Sequence, residues 1–175
     1  MKRIVSILFL LLTGLGVWAQ NRIPQLDRAR GRRVQFHYVY SLSKAGTAFS
    51  PVTEGDAVVE DGAYRLSGLG LDVTCDGTTR WTRDREAQEL VIETVDTASV
   101  LDNPALLMAT YERYADVLHV QGATDTSLDV VLDVDQDVRV RFVLTGLSYT
   151  DCQGKSDFSL DEKSLSKEYV VTDLR

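Results

Sequence analysis

The chain has 175 residues, 26 of them acidic against 19 basic, and a formal net charge of −7. An acidic surplus opposes nucleic acid and standing adhesion to anionic lipid heads, and it favours solubility. With 44% hydrophobic residues, no repeat at a solenoid period and no low-complexity segment, the composition suits one domain around one sizeable core.

Lys2 and Arg3 open the chain, an apolar run follows over 4–18, and the small-residue site Val17-Trp18-Ala19 precedes Gln20. That order predicts a cleaved secretory signal peptide over 1–19. The run is shorter than the roughly 20 apolar residues of a membrane span, and polar chain follows at once. Because Gln20 rather than Cys follows the cut, the mature chain is expected to carry no lipid of its own. A single domain over 20–175 remains, and loss of Lys2 and Arg3 takes its formal charge from −7 to −9.

Residues 25–33 are polar and basic and predict a short helix or coil. Over 34–40, large apolar groups fall on every second residue, so Val34, Phe36, Tyr38 and Tyr40 share the buried face of a strand. A Gly, Ser, Thr and Pro51-bearing stretch reads as a loop up to Asp56. Strands 56–60 and 63–66 flank Asp61-Gly62, and strands 71–75 and 78–83 flank Asp76-Gly77. Each Asp-Gly pair predicts a type I′ hairpin turn, which needs residues that accept positive φ. After a polar turn at 84–88, residues 89–95 return as a further strand, and the whole reads as an antiparallel meander.

Asn103 and Pro104 interrupt the pattern as a helix cap and a first-turn proline. From 105 to 114 the spacing is helical, with Leu107, Tyr111 and Tyr114 on one stripe and Met108 beside it. An amphipathic helix inserted in a meander must lay its apolar face on the sheet, as a lid. Further strands are predicted over 117–120, 128–134, 138–147 and 169–171.

Chemistry-bearing constellations are sparse. His37 and His119 each stand alone in a strand pattern and read as surface or structural residues. Asp133, Asp135 and Asp137 alternate like calcium-loop ligands, but Val138 stands where glycine is needed and Leu144 where a bidentate Glu is needed. Gly68 and Gly70 lack the third glycine and the helix of a nucleotide loop. Glu60 and Asp61 are adjacent and point to opposite faces, which does not suit glycosidase work. No GxSxG elbow and no CxxC is present. The expectation is no catalysis, no metal and no cofactor. Cys75 and Cys152 form a disulfide, remain as two free thiols, or pair between molecules; spacing does not decide among these.

Bulk apolar groups are what remains: Phe36, Tyr38, Tyr64, Leu66, Trp81, Leu90, Ile92, Leu107, Met108 and Tyr111 are predicted to line the inside of a curved sheet and the facing side of the helix. Such a lining is an ordinary core unless helix and sheet part, in which case it takes acyl chains at roughly 0.8 kcal/mol per buried methylene.

The run from Gly55 to Leu66, then Val73-Thr74-Cys75-Asp76-Gly77-Thr78-Thr79-Arg80-Trp81-Thr82-Arg83-Asp84, Glu89 to Ile92, and Asn103-Pro104-Ala105-Leu106-Leu107 resembles the LolA-type lipoprotein carriers. The DG…W element is the most specific piece. Residues 157–160 and 169–175 resemble the ending of the Bacteroidetes branch of that family. The likeness covers 34–114 and 155–175. It implies a mainly β (α+β) fold, an open antiparallel β half-barrel closed by short helices, with Tyr64, Leu66 and Trp81 on the inner face and the helix after Pro104 as lid. It also implies a monomeric periplasmic carrier that binds lipoprotein acyl chains, takes its cargo from an inner-membrane release complex and delivers it to an outer-membrane acceptor. Where the family has a lid-fastening Lys-Arg-Pro stretch, this chain reads Val59-Glu60-Asp61, and the stretch between Tyr114 and Cys152 looks brief for the full strand count. Two alternatives stand beside the carrier: an amphiphile-binding or sensing module of the same fold, and a non-catalytic structural subunit of the envelope.

Overall fold

The computed structural model describes residues 22–95, 103–165 and 167–175; the predicted signal peptide over 1–19 lies outside the described residues. The chain opens with a one-and-a-half-turn helix, α1 (Pro24–Ala29), whose Leu26 is fully buried. β1 (Arg32–Lys44) follows and has two neighbours, β2 (Ser50–Glu60) on one side and β9 (Val138–Asp151) on the other, both antiparallel. Val34, Phe36 and Tyr38 lie on one face of β1 and are buried, as the two-residue period requires.

The expected loop before Asp56 is mostly strand, since β2 begins at Ser50. Pro51 is tolerated there because β3 (Ala63–Gly68) pairs only with Ala57 to Glu60, so this end of β2 has a free edge and needs no second amide ladder. Asp61 and Gly62 adopt φ of 45° and 79°, the type I′ turn predicted between β2 and β3. The second Asp-Gly pair behaves differently. Between β4 (Leu71–Cys75) and β5 (Thr79–Asp84), the Asp76 carboxylate accepts hydrogen bonds from the amides of Thr78 and Thr79, both at 2.8 Å, and closes a longer loop with Cys75 opposite Arg80. A two-residue turn with both residues at positive φ stands instead between β3 and β4, at Leu69 (52°) and Gly70 (78°). Leucine in the left-handed region costs about 1–2 kcal/mol, which is why no sequence rule pointed to it.

β6 (Glu89–Thr94) completes the meander. Asn103 then caps α2 (Pro104–Thr110), its side-chain oxygen accepting from the amides of Ala105 at 2.9 Å and Leu106 at 3.4 Å. The helix predicted to reach 114 leaves α geometry at Thr110 (φ −136°) and continues as a 3₁₀ turn, Tyr111–Tyr114. The three strands predicted in the next stretch are present and longer than expected: β7 (Leu118–Thr124), β8 (Ser127–Asp135) and β9. Beyond Cys152 the chain makes a 3₁₀ turn (Lys155–Phe158) and a single helical turn, α3 (Glu162–Leu165), and ends on β10 (Val170–Asp173).

The ten strands of the described residues form one open sheet in the order β10-β6-β5-β4-β3-β2-β1-β9-β8-β7. Every neighbouring pair is antiparallel except β10 on β6, so the sheet is mixed rather than wholly antiparallel. The main core joins α1 and α2 to one face of the sheet through Leu26, Phe36, Tyr64, Leu107, Phe142 and Leu144 among others. A separate cluster on the opposite face unites Trp81, Leu90 and Ile92 with Leu160, Leu165 and Tyr169, so the C-terminal segment crosses that face as a strap.

Candidate functional site: a groove beside helix α2

Register decides which predicted side chains meet. Tyr64 stands opposite Cys75 and Cys75 opposite Arg80; Leu66 stands opposite Val73 and Val73 opposite Thr82. Side chains in one cross-strand row share a face, so these six lie on the helix side. Trp81 is opposite Ile92 and one residue from Arg80, and therefore points to the strap side, as does Leu90. The expectation that Trp81, Leu90 and Ile92 line the same hollow as Tyr64 and Leu66 is corrected by this parity. Phe36, Tyr38, Tyr64, Leu66, Leu107, Met108 and Tyr111 all join the helix-side core.

α2 does not cover that face completely. Over β3 to β5, beside the Asn103 cap, an open groove of about 250 Å³ remains, with Leu66, Val73 and Thr82 from adjoining strands, Tyr38 and Leu71 at its sides, and Arg80 as its charged group. Of the ten predicted residues, only Tyr38 and Leu66 line it. Val73, Thr82 and Arg80 were missed, although counting the register outward from Leu66 across two hairpins finds them. Met108 and Tyr111 border other surface clefts instead.

Two glycines shape the rim. A Cβ on Gly55 would lie 1.5 Å from the Ser67 carbonyl oxygen, and one on Gly68 would lie within 2.9 Å of Thr53 Oγ1, the Glu54 carbonyl oxygen and Tyr38 Oη. Absence of both side chains lets β2 and β3 converge there and lets Tyr38 Oη donate to the Ser67 carbonyl at 3.1 Å.

The electrostatics beside the groove are those of a neutral wall with one held cation. Burial first, then the neighbouring Cys75, pushes the Tyr64 hydroxyl up to about 12, so it stays protonated. Burial likewise raises Tyr38 and the Cys75 thiol. For Arg80 burial works against the charge, but Glu93, accepting from Nε at 2.9 Å, and the nearby Tyr64 outweigh it, so the guanidinium remains ionised.

The 3₁₀ turn that follows α2 is tied to α1 and its C-cap by polar bonds. Tyr111 Oη donates to Asp27 Oδ1 at 2.5 Å, and Arg30 pairs with Glu112. α1 in turn is tied down by Gln25 Nε2 donating to the Thr124 carbonyl (2.7 Å) and Tyr149 Oη donating to the Gln25 carbonyl (3.0 Å). Ala105 to Met108 of α2 meet the sheet through apolar contact.

Elsewhere, His37 pairs with Asp56 at 3.2 Å and His119 with Asp133 at 2.9 Å, both exposed. Among the described residues no three His, Cys, Asp or Glu side chains are placed to hold a metal ion. Cys75 is buried on the helix side and Cys152 is exposed; both are free thiols, so the disulfide left open above is not formed. No helix among the described residues is long and apolar enough to cross a membrane.

Comparison with known proteins adds no assignment. No family model matches the chain, and no curated protein does. Among solved structures, an uncharacterized conserved protein from Thermus thermophilus is similar over 86% of this chain and 97% of its own, at 11% identity and a TM-score of 0.41.

Proposed function

We propose that this protein is an exported, non-catalytic carrier in the periplasm that holds the acyl chains of lipoproteins against the helix-bearing face of its sheet, read as a half-barrel, and hands them to the outer membrane. One observation carries the reading: the open groove beside α2, floored by Leu66 and Val73 and bordered by Asn103 at the start of a helix that packs on the sheet through apolar side chains. Its volume of about 250 Å³ is slightly under the ~300–1,000 Å³ of ordinary small-molecule sites, so a full acyl chain requires α2 to move aside. Acyl methylenes replace helix contacts of the same kind, which makes the exchange cheap in free energy and reversible. The residues that resemble LolA-type carriers support the same surface.

The test is displacement of a fluorescent fatty-acyl probe from the mature chain, followed by incubation with spheroplasts. A carrier binds the probe, loses it when Val73→Asp places a charge in the groove, and releases lipoproteins into solution. Probe binding without lipoprotein release indicates an amphiphile-binding or sensing module. If the wild-type chain binds no probe, the groove is not an acyl site and the structural-subunit reading takes its place.

A further inference from the structure

Among the described residues the outermost strands of the sheet, β7 and β10, each leave an outer edge unpaired, and the two differ. β7 carries a bulge between Val120 and Gly122, a feature that twists an edge away from partners. β10 has no irregularity in its pairing with β6, and all four of its residues are exposed. Val170 donates its amide to the Gln88 carbonyl and Leu174 to the Ile92 carbonyl, both at 2.8 Å. By the alternation of a strand, the amides and carbonyls of Val171 and Asp173 then point outward from the sheet.

Side chains alternate in the perpendicular sense. Val171 and Asp173 stand beside Leu90 and Ile92 and so share the strap side, which leaves Val170, Thr172 and Leu174 on the helix side. Val170 is 70% exposed and Leu174 is 64% exposed.

We propose that β10 is an interaction surface for a second copy of this chain, the two strands pairing antiparallel about a two-fold axis that passes through Thr172. Symmetry and hydrogen bonding select that register. A two-fold axis perpendicular to the sheet sets one residue opposite itself. With Thr172 on the axis, Val171 faces Asp173 of the second copy and Asp173 faces its Val171, and both are bonded pairs built from outward-pointing amides. With Val171 on the axis, Asp173 faces Tyr169, whose amide is already donated to the Leu165 carbonyl at 3.0 Å. The chosen register also sets the exposed Val170 opposite Leu174 twice, in the non-bonded positions where side chains approach most closely, with a Thr–Thr pair between them. Apolar groups that stand in water on one copy thus cover their counterparts on the other, a self-complementarity that the isologous geometry demands. The joined sheet places both helix-bearing faces on the same side. This surface goes beyond the carrier reading and departs from the monomer implied by the family resemblance; it stands or falls separately from the groove. Four residues a side bury less than a standard interface of about 800 Å² per partner, so the association is reversible.

The experiment is site-directed crosslinking of the mature chain in a Cys152→Ser background, where the remaining native thiol, Cys75, is fully buried. Thr172→Cys, sitting on the axis, is expected to yield a disulfide-linked dimer under mild oxidation. Val170→Cys, on the same face but four residues from its own mate, roughly 13 Å along the strand, is expected to stay monomeric. In sedimentation velocity the unmodified chain associates with rising concentration, and Val170→Lys weakens that association roughly tenfold. Unchanged Trp81 fluorescence, from under the strap, certifies that each variant is folded. The proposal is overturned if Thr172→Cys remains monomeric, if Val170→Cys crosslinks as readily, or if the charge at 170 leaves association unchanged.

Discussion

Helix α2 and the C-terminal strap cover opposite faces of one sheet; both pack apolar side chains against it, and they differ in the polar bonds that are added. α2 rests on the sheet through Ala105, Leu106, Leu107 and Met108, contacts without direction that a sliding helix trades for others. The strap adds directional, charge-assisted bonds to its apolar contacts with Trp81, Leu90 and Ile92. At its first end Glu60, 2% exposed, accepts from the amides of Gln153 (3.1 Å) and Gly154 (2.6 Å) and lies 3.5 Å from Arg33, which also donates to Asp157 at 3.0 Å and stacks over Phe158. At the far end Trp81 Nε1 donates to Glu162 at 2.9 Å, and Glu162 accepts from both terminal nitrogens of Arg175.

The sharpest way to break that contrast is Glu60→Ala. It leaves Arg33 buried with one remaining partner and strips two backbone amides of their acceptor, an expected loss of about 3–5 kcal/mol in urea unfolding. Hydrogen exchange should quicken at 153 and 154 and spare α2; equal protection at both places would mean the strap does not depend on these bonds.

Leu107→Ala probes the other cover. Fully buried on the lid, it is expected to cost about 2–5 kcal/mol. The cost falls on the helix side, so acyl-probe affinity should change while Trp81 emission does not. A shift in emission would show that the two covers are coupled through the sheet.

Acid supplies the smallest effect. Burial alone would raise the Asp72 carboxyl, but Arg85 and Arg83 outweigh it and hold it below its ordinary value of 3.8. A depressed carboxylate adds stability that is present above the unfolded value and is lost as pH falls through the folded one. Asp72→Asn should therefore narrow the gap in stability between pH 6 and the region below about 3.8, measured by denaturant unfolding at each pH. An unchanged acid limb would show that the pairing on the strap side contributes nothing to folding.

Much of this was legible locally. Asp61-Gly62 announced its hairpin, Asn103-Pro104 the start of α2, and the alternation of Val34, Phe36 and Tyr38 the buried face of β1, because each rests on one residue's own φ preference or on spacing within one segment. Arg33 and Glu60 looked like polar residues in strand patterns; nothing local marks two charges 27 positions apart as a buried pair. Leu69-Gly70 was missed because the turn is imposed by the strands it joins against the preference of leucine. Of the groove, Leu66 on the floor and Tyr38 at the side were found, and the rest required the register of β3, β4 and β5.

By itself, then, the amino-acid order determined a mainly β chain with a helix inserted after the sixth strand, and apolar stripes along its strands that read as one lining. Only the tertiary structure decided which stripe met the helices and which met the strap, since alternation separates the two faces of a strand without saying what will cover either. That choice follows from long-range pairing: β10 lies parallel on β6, and the chain must cross the face carrying Trp81, Leu90 and Ile92 to reach it. A side chain's face is a property of its own strand, whereas its neighbour is a property of the whole sheet.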